Sequence, residues 1–70
     1  MTNGNALKEA IKAAGVSIAF LAEKLNSSRN RVYAIIHGAD CTASEISTLT
    51  QCLHLTKDQR DYIFLSESVN

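Results

Sequence analysis

Between Val16 and Gly38 the chain reads VSIAFLAEKLNSSRNRVYAIIHG, and no other stretch restricts its fold as tightly. A serine precedes each of two short runs whose apolar residues recur every three or four positions, and Asn and Gly stand where those runs stop. Ser17 can accept a hydrogen bond from a first-turn amide that would otherwise have no partner. Ile18, Leu21, Ala22 and Leu25 then share one face of a helix ending at about Leu25. Asn26 follows, where helices commonly end in a left-handed turn that Asn tolerates better than any residue but Gly. Ser27 or Ser28 can cap the next helix. We favour Ser28, giving a helix from Arg29 to about His37 that Gly38 stops. The spacing predicts two short helices joined by a tight polar turn.

With that cap, Val32, Ile35 and Ile36 form an inward stripe, and Arg29, Asn30, Arg31, Tyr33 and Ala34 occupy the exposed beginning and outer side. The stripe anchors the helix and leaves its outer side to face a partner. The residue types there suit DNA. Arg can donate two hydrogen bonds to guanine in the major groove, and Asn can pair bidentately with adenine. Tyr33 and the Ala34 methyl suit a thymine methyl or the backbone. The helix N-terminus adds unpaired amides and the positive end of the dipole, both of which favour a phosphate.

The segment resembles the helix-turn-helix of the phage Cro/repressor family, also called the xenobiotic-response-element type. The resemblance runs from about Leu7 to Leu65. It rests on LAEKLN in the first helix, Ser28 before the second, Val32 at its buried pivot and Gly38 after it. It implies a lambda-repressor-like domain in which Arg29, Asn30, Arg31, Tyr33 and Ala34 contact bases or backbone. Ser17 and Ser28, at the starts of the two helices, join that DNA-facing set, and His37 is placed to touch a phosphate beside the second helix. The sequence departs from the family at Ile18, where many members carry Gln. It departs again at Asn26, where Gly is commoner, and at Ser27, where an aliphatic residue is usual.

Seventy residues suffice for one core, and a domain of this size buries about 60% of the surface its unfolded chain exposes. Stability is then marginal, so dimerisation helps. An apolar share of 46%, no Pro and four aromatic residues favour an all-α fold over a sandwich or barrel. Seven basic residues balance seven acidic ones, which by itself is unlike a nucleic-acid binder. Their distribution is uneven. Up to Gly38 the chain carries Lys8, Lys12, Lys24, Arg29 and Arg31 against Glu9 and Glu23. Beyond it Lys57 and Arg60 face Asp40, Glu45, Asp58, Asp61 and Glu67. The first half can approach phosphates and the second is repelled by them, so binding should be salt-sensitive.

Three more helices complete the expected five. Leu7, Ile11 and Ala14 lie at helical spacing in a segment from Ala6 to Ala14, with Asn5 or Asn3 to cap it and Gly15 to stop it. Thr42 to Glu45 is T-x-x-E, a capping box, and Ile46, Leu49 and Leu53 follow as an inward face. Thr56 to Gln59 repeats the device as T-x-x-Q before Tyr62, Ile63, Phe64 and Leu65. Four consecutive large residues cannot all face one stripe. Tyr62, Phe64 and Leu65 are therefore candidates for a homodimer seam, the alternative being that they close a small core from two sides. A dimer would set two reading helices about 34–36 Å apart on a palindromic operator. Residues 1–4 and 66–70 are expected to fray.

His37, Cys41, Cys52 and His54 have the right atoms for zinc but not the spacing. Structural sites bring ligands in close pairs such as C-x2-C, whereas H-x3-C spans a turn here and C-x-H closes a helix. Residues two apart on a helix point about 200° from one another. Cys52 reads as a small core residue, Cys41 as a loop residue, and His54 as a helix-ending residue whose charge suits the dipole. No Gly-rich phosphate loop, paired-carboxylate motif or nucleophile with a recognisable base appears, so neither enzyme chemistry nor a cofactor is expected. No small-molecule ligand, apolar run of membrane-spanning length or leader is evident, which points to a cytoplasmic protein with free thiols.

The sequence thus leads to one expectation, a cytoplasmic, five-helix, Cro-like repressor that binds double-stranded operator DNA as a dimer. The competing expectation keeps the fold but uses the acidic half or the last helix to bind another protein, as an antirepressor or antitoxin-like module would. Overall neutrality and Ile18 favour that alternative.

Overall fold

Each helix among the described residues begins on a side-chain oxygen that accepts an amide three residues ahead. In the computed structural model, which describes residues 1–65, the five are α1 Gly4–Ala14, α2 Ile18–Lys24, α3 Arg29–Ile36, α4 Ala43–Leu53 and α5 Lys57–Phe64. Asn3 accepts from the Ala6 amide at 3.1 Å, Ser17 from Phe20 at 3.0 Å and Ser28 from Arg31 at 3.2 Å. Thr42 and Thr56 close full capping boxes. Glu45 accepts from the Thr42 amide at 2.9 Å, and Gln59 from the Thr56 amide at 2.8 Å. α1 starts two residues before the expected Ala6, because Asn3 and not Asn5 is its cap.

The helix ends are equally local. After α2, Asn26 takes φ 55°, the Asn26 amide donates to the Glu23 carbonyl and the Ser27 amide to the Ala22 carbonyl. This pair of bonds is the Schellman arrangement, which satisfies carbonyls a helix end leaves open. Gly38 with φ 108° ends α3 in the same way, and His54 with φ 55° ends α4.

The inward stripes meet in one core of Leu7, Ile11, Leu21, Ala22, Val32, Ile35, Leu49, Leu53, Ile63 and Phe64. α3 packs against both α1 and α2, α4 touches α1, α2 and α5, and α5 also packs on α1. Ile18, Leu25, Ile36, Ile46 and Cys52 are half-buried at the margin of the core. Phe64 is corrected from seam to core, since it is only 6% exposed. Tyr62 and Leu65 do stay outside, at 61% and 52% exposed. Ile63 and Phe64 therefore take the inward positions on a helix that can bury only part of its circumference.

The N-terminal residues do not fray as expected. Thr2 is buried, its amide donates to the Gly38 carbonyl at 3.3 Å and its hydroxyl to the Ala39 carbonyl at 2.7 Å. The Asn3 amide donates to the Ile63 carbonyl at 2.7 Å, and the Met1 amine pairs with Asp40 at 2.9 Å. These four contacts strap the start of the chain across the α3–α4 loop and the end of α5. The expected fraying of 66–70 lies outside the described residues. Among the described residues, no helix is long and apolar enough to cross a membrane.

Candidate nucleic-acid interface

α3 is fastened from beneath by Val32 and Ile35, both essentially inaccessible, so its opposite side is presented outward. Ser28 spends its hydroxyl on the Arg31 amide, and among the described residues the amides of Arg29 and Asn30 have no acceptor. They are the positive end of the helix and suit an anion. Arg29 is exposed and its guanidinium makes no ion pair or hydrogen bond among the described residues. Asn30, Tyr33 and Ala34 are exposed on the same helix, Tyr33 at 47%. Ser17 occupies the equivalent position on α2. Its hydroxyl is also committed to its cap, leaving the first amides of α2 unpaired among the described residues.

Arg31 does not lie open as the sequence led us to expect. Its Nε donates to Glu45 Oε2 at 2.9 Å, and its Nη2 donates to Glu45 Oε1 at 2.8 Å and to the Asp40 carbonyl at 2.9 Å. The guanidinium crosses from the first turn of α3 to the first turn of α4. Glu45 receives a third bond there from the Thr42 amide. The Arg31 bonds are the main reason its carboxyl titrates low, at about 2. Glu45 and the Asp40 carbonyl are thus part of this surface, and sequence reasoning had placed neither there. The capping box gave away the local partner of Glu45 but not the distant one.

His37 sits at the far end of α3, with Nδ1 2.7 Å from the Tyr33 carbonyl. A carbonyl only accepts, so Nδ1 carries the proton and the ring closes the last turn of its own helix. Lys24 reaches over the half-exposed Phe20 ring, its Nζ 5.4 Å from the centroid, a cation–aromatic contact on the outer side of α2. On α1, Gly4 meets the Ile36 carbonyl of α3. At about 100° per residue, Lys8 and Lys12 fall on that same flank. Ala6, Ala10 and Ala13 lie on the other flank, where they line an open groove with Leu55 and Tyr62.

The ion pairs sharpen the charge division. Asp40, Glu45 and Asp61 are each paired, with the Met1 amine, Arg31, and Lys57 and Arg60 respectively. Lys8, Lys12, Lys24 and Arg29 have no carboxylate partner among the described residues, and all four come from the first half of the chain. Glu9 on α1 and Glu23 on α2 are likewise without an ion pair among the described residues, so these cations leave α1, α2 and the start of α3 with an excess of positive charge that is only partly offset.

His37, Cys41, Cys52 and His54 are not gathered. Among the described residues no cluster of three or more His, Cys, Asp or Glu is arranged to hold a metal. Cys41 lies in the α3–α4 loop with its sulfur 3.7 Å from the Thr2 hydroxyl, and burial pushes its thiol up from the ordinary value. No protein-family model, curated protein or solved structure matches this chain in comparison.

Proposed function

We propose that this chain is a sequence-specific DNA-binding regulator of transcription with a lambda-repressor-like helix-turn-helix, in which α2 supports α3 and α3 enters the major groove. The observation that carries this reading is the start of α3. Arg29 and two helix amides, without partners among the described residues, stand with an exposed Asn30 on a helix whose other side is locked in the core. Arg and Asn are the residues that read guanine and adenine bidentately, and helix N-terminal amides hold phosphates. Lys8, Lys12 and Lys24 supply the sequence-independent attraction, and of the acids described in the second half only Asp58 lacks a cationic partner among the described residues.

A homodimer on a palindromic operator is part of the proposal, with Tyr62 and Leu65 forming the seam and Phe64 supporting it from within the core. The protein acts in the cytoplasm and without catalysis, and its own concentration sets occupancy through dimerisation. The test titrates purified protein onto duplex DNA from upstream of its own gene, at low and moderate salt, beside Arg29→Ala with Asn30→Ala. Sequence preference in the wild type, lost in the double variant, is the expected outcome. Equal affinity for unrelated duplexes, or an unaffected variant, sinks the reading.

A second reading, a protein-interaction module, draws on the groove between α1 and α5. Ala6, Ala10, Leu55 and Tyr62 present apolar surface there on the flank of α1 away from α3. Failure to bind DNA, together with intact folding, would favour it.

A further inference from the structure

The expected reading edge of α3 holds two arginines, and the structure treats them in opposite ways. Arg29 has no partner among the described residues, whereas Arg31 is bound by three hydrogen bonds. A guanidinium has five N–H groups, one on Nε and two on each terminal nitrogen. For Arg31 the Nε group and both groups on Nη2 are spent, which leaves only the pair on Nη1. Reading guanine bidentately takes a fork of two nitrogens, and that fork is closed.

The partner is equally committed. Glu45 is held by the Thr42 amide at 2.9 Å as well as by Arg31, and its side chain is only 15% exposed. An isolated surface ion pair yields readily to a competing phosphate or base. Glu45 cannot swing aside without opening the capping box that starts α4.

We infer that Glu45 is the specificity-determining residue of this surface. It withholds Arg31 from the base edges, so that α3 reads through Arg29 and Asn30 while Arg31 serves as a positioning residue that sets α3 against α4. The inference rests on the DNA-binding reading proposed above. It follows that Glu45→Gln opens a latent second arginine. Gln keeps the capping box, being its neutral alternative, and gives up the charged fork.

The experiment selects bound sequences from a randomised duplex library and measures affinity across a salt series. It uses wild type, Arg29→Ala, Arg31→Met, Glu45→Gln, and Glu45→Gln combined with Arg31→Met, each checked for helicity and melting. Arg29→Ala should lose discrimination at its guanine by roughly 5- to 150-fold, and Arg31→Met should select the wild-type sequence. Glu45→Gln should bind more tightly, prefer an additional guanine and steepen the salt dependence by up to about one phosphate contact. That gain should vanish when Arg31 is also Met, because it belongs to the released side chain and not to the charge removed. If Arg31→Met leaves Glu45 too destabilised to fold, the double variant against Glu45→Gln makes the same comparison without a stranded charge.

The inference is overturned if Arg31→Met erases base preference as Arg29→Ala does, or if the gain of Glu45→Gln persists without Arg31. A different result marks failure of the DNA reading itself, namely that none of the five proteins selects any sequence or binds with salt dependence.

Discussion

Gly4 opens α1 directly against the carbonyl oxygen of Ile36 in the last turn of α3, so closely that a Cβ at Gly4 has no room. Two helix ends 32 positions apart therefore touch backbone to backbone. The contact seats α3 at its C-terminal end, while the core beneath Val32 and Ile35 seats its middle. Glycine is required here for closeness and not for its backbone freedom, since the residue is already helical.

Gly4→Ala should accordingly destabilise the fold by about 1–3 kcal/mol, the usual cost of forcing atoms into filled space, even though Ala is the better helix former. Urea titration followed by circular dichroism measures this. A midpoint equal to or above that of wild type would show that the first turn of α1 can shift away from Ile36 at no cost.

Acid should loosen the connection between α3 and α4. The Arg31 bonds, with the Thr42 amide, hold the Glu45 carboxyl at about 2 in the folded protein, below its ordinary value of 4.5. A lowered folded value means the group stabilises the fold above about pH 4.5. Its contribution fades as pH falls from there toward about 2. Asp61, lowered chiefly by its Arg60 hydrogen bonds, acts with the same sign. Melting of wild type and Glu45→Gln should therefore differ most near neutral pH, by about 1.5–3 kcal/mol, and converge in acid. A constant difference across that range would detach the effect from this carboxylate.

The last helix makes a sorting prediction. Phe64→Ala removes a core ring and should cost about 3–5 kcal/mol, much of what a domain this small possesses. Tyr62→Asp and Leu65→Asp alter exposed positions and should leave helicity intact. If the proposed seam exists, sedimentation at high concentration should show those two variants shifted toward monomer relative to wild type. Identical sedimentation of all three proteins would remove the seam from this face.

His54 offers a stabilising change. It holds a left-handed conformation, φ 55°, that costs a residue with a Cβ some strain and costs Gly none. His54→Gly should raise stability by about 0.5–1 kcal/mol, less than the full strain because Gly also gains freedom in the unfolded chain. Thermal melting decides it, and a lower midpoint would mean the imidazole contributes more than its backbone costs.

These positions also mark how far the sequence could be read. Ser17, Ser28, Thr42 with Glu45, and Thr56 with Gln59 all start helices where their spacing said they would, because a cap is made between residues three apart. Asn26 and Gly38 end helices for the same local reason. The apolar stripes were legible because helical periodicity sets which residues share a face before any partner is present. Whether Phe64 or Tyr62 turned inward was not legible, since four large residues in a row carry no periodicity to choose between them.

The chain by itself therefore determined where its helices begin and stop, which faces they bury, and that its cations gather in the first half. Tertiary structure alone decided that Thr2 is tied to Gly38 and Ala39, that Gly4 rests on Ile36, and that Arg31 is held by Glu45 while Arg29 has no partner among the described residues. Each of these contacts joins residues 14 or more positions apart. Local hydrogen-bond chemistry reaches only about four residues along the chain. Contacts beyond that range arise when the shared core brings helix ends together, and with them comes the difference between two arginines that the sequence presents as equals.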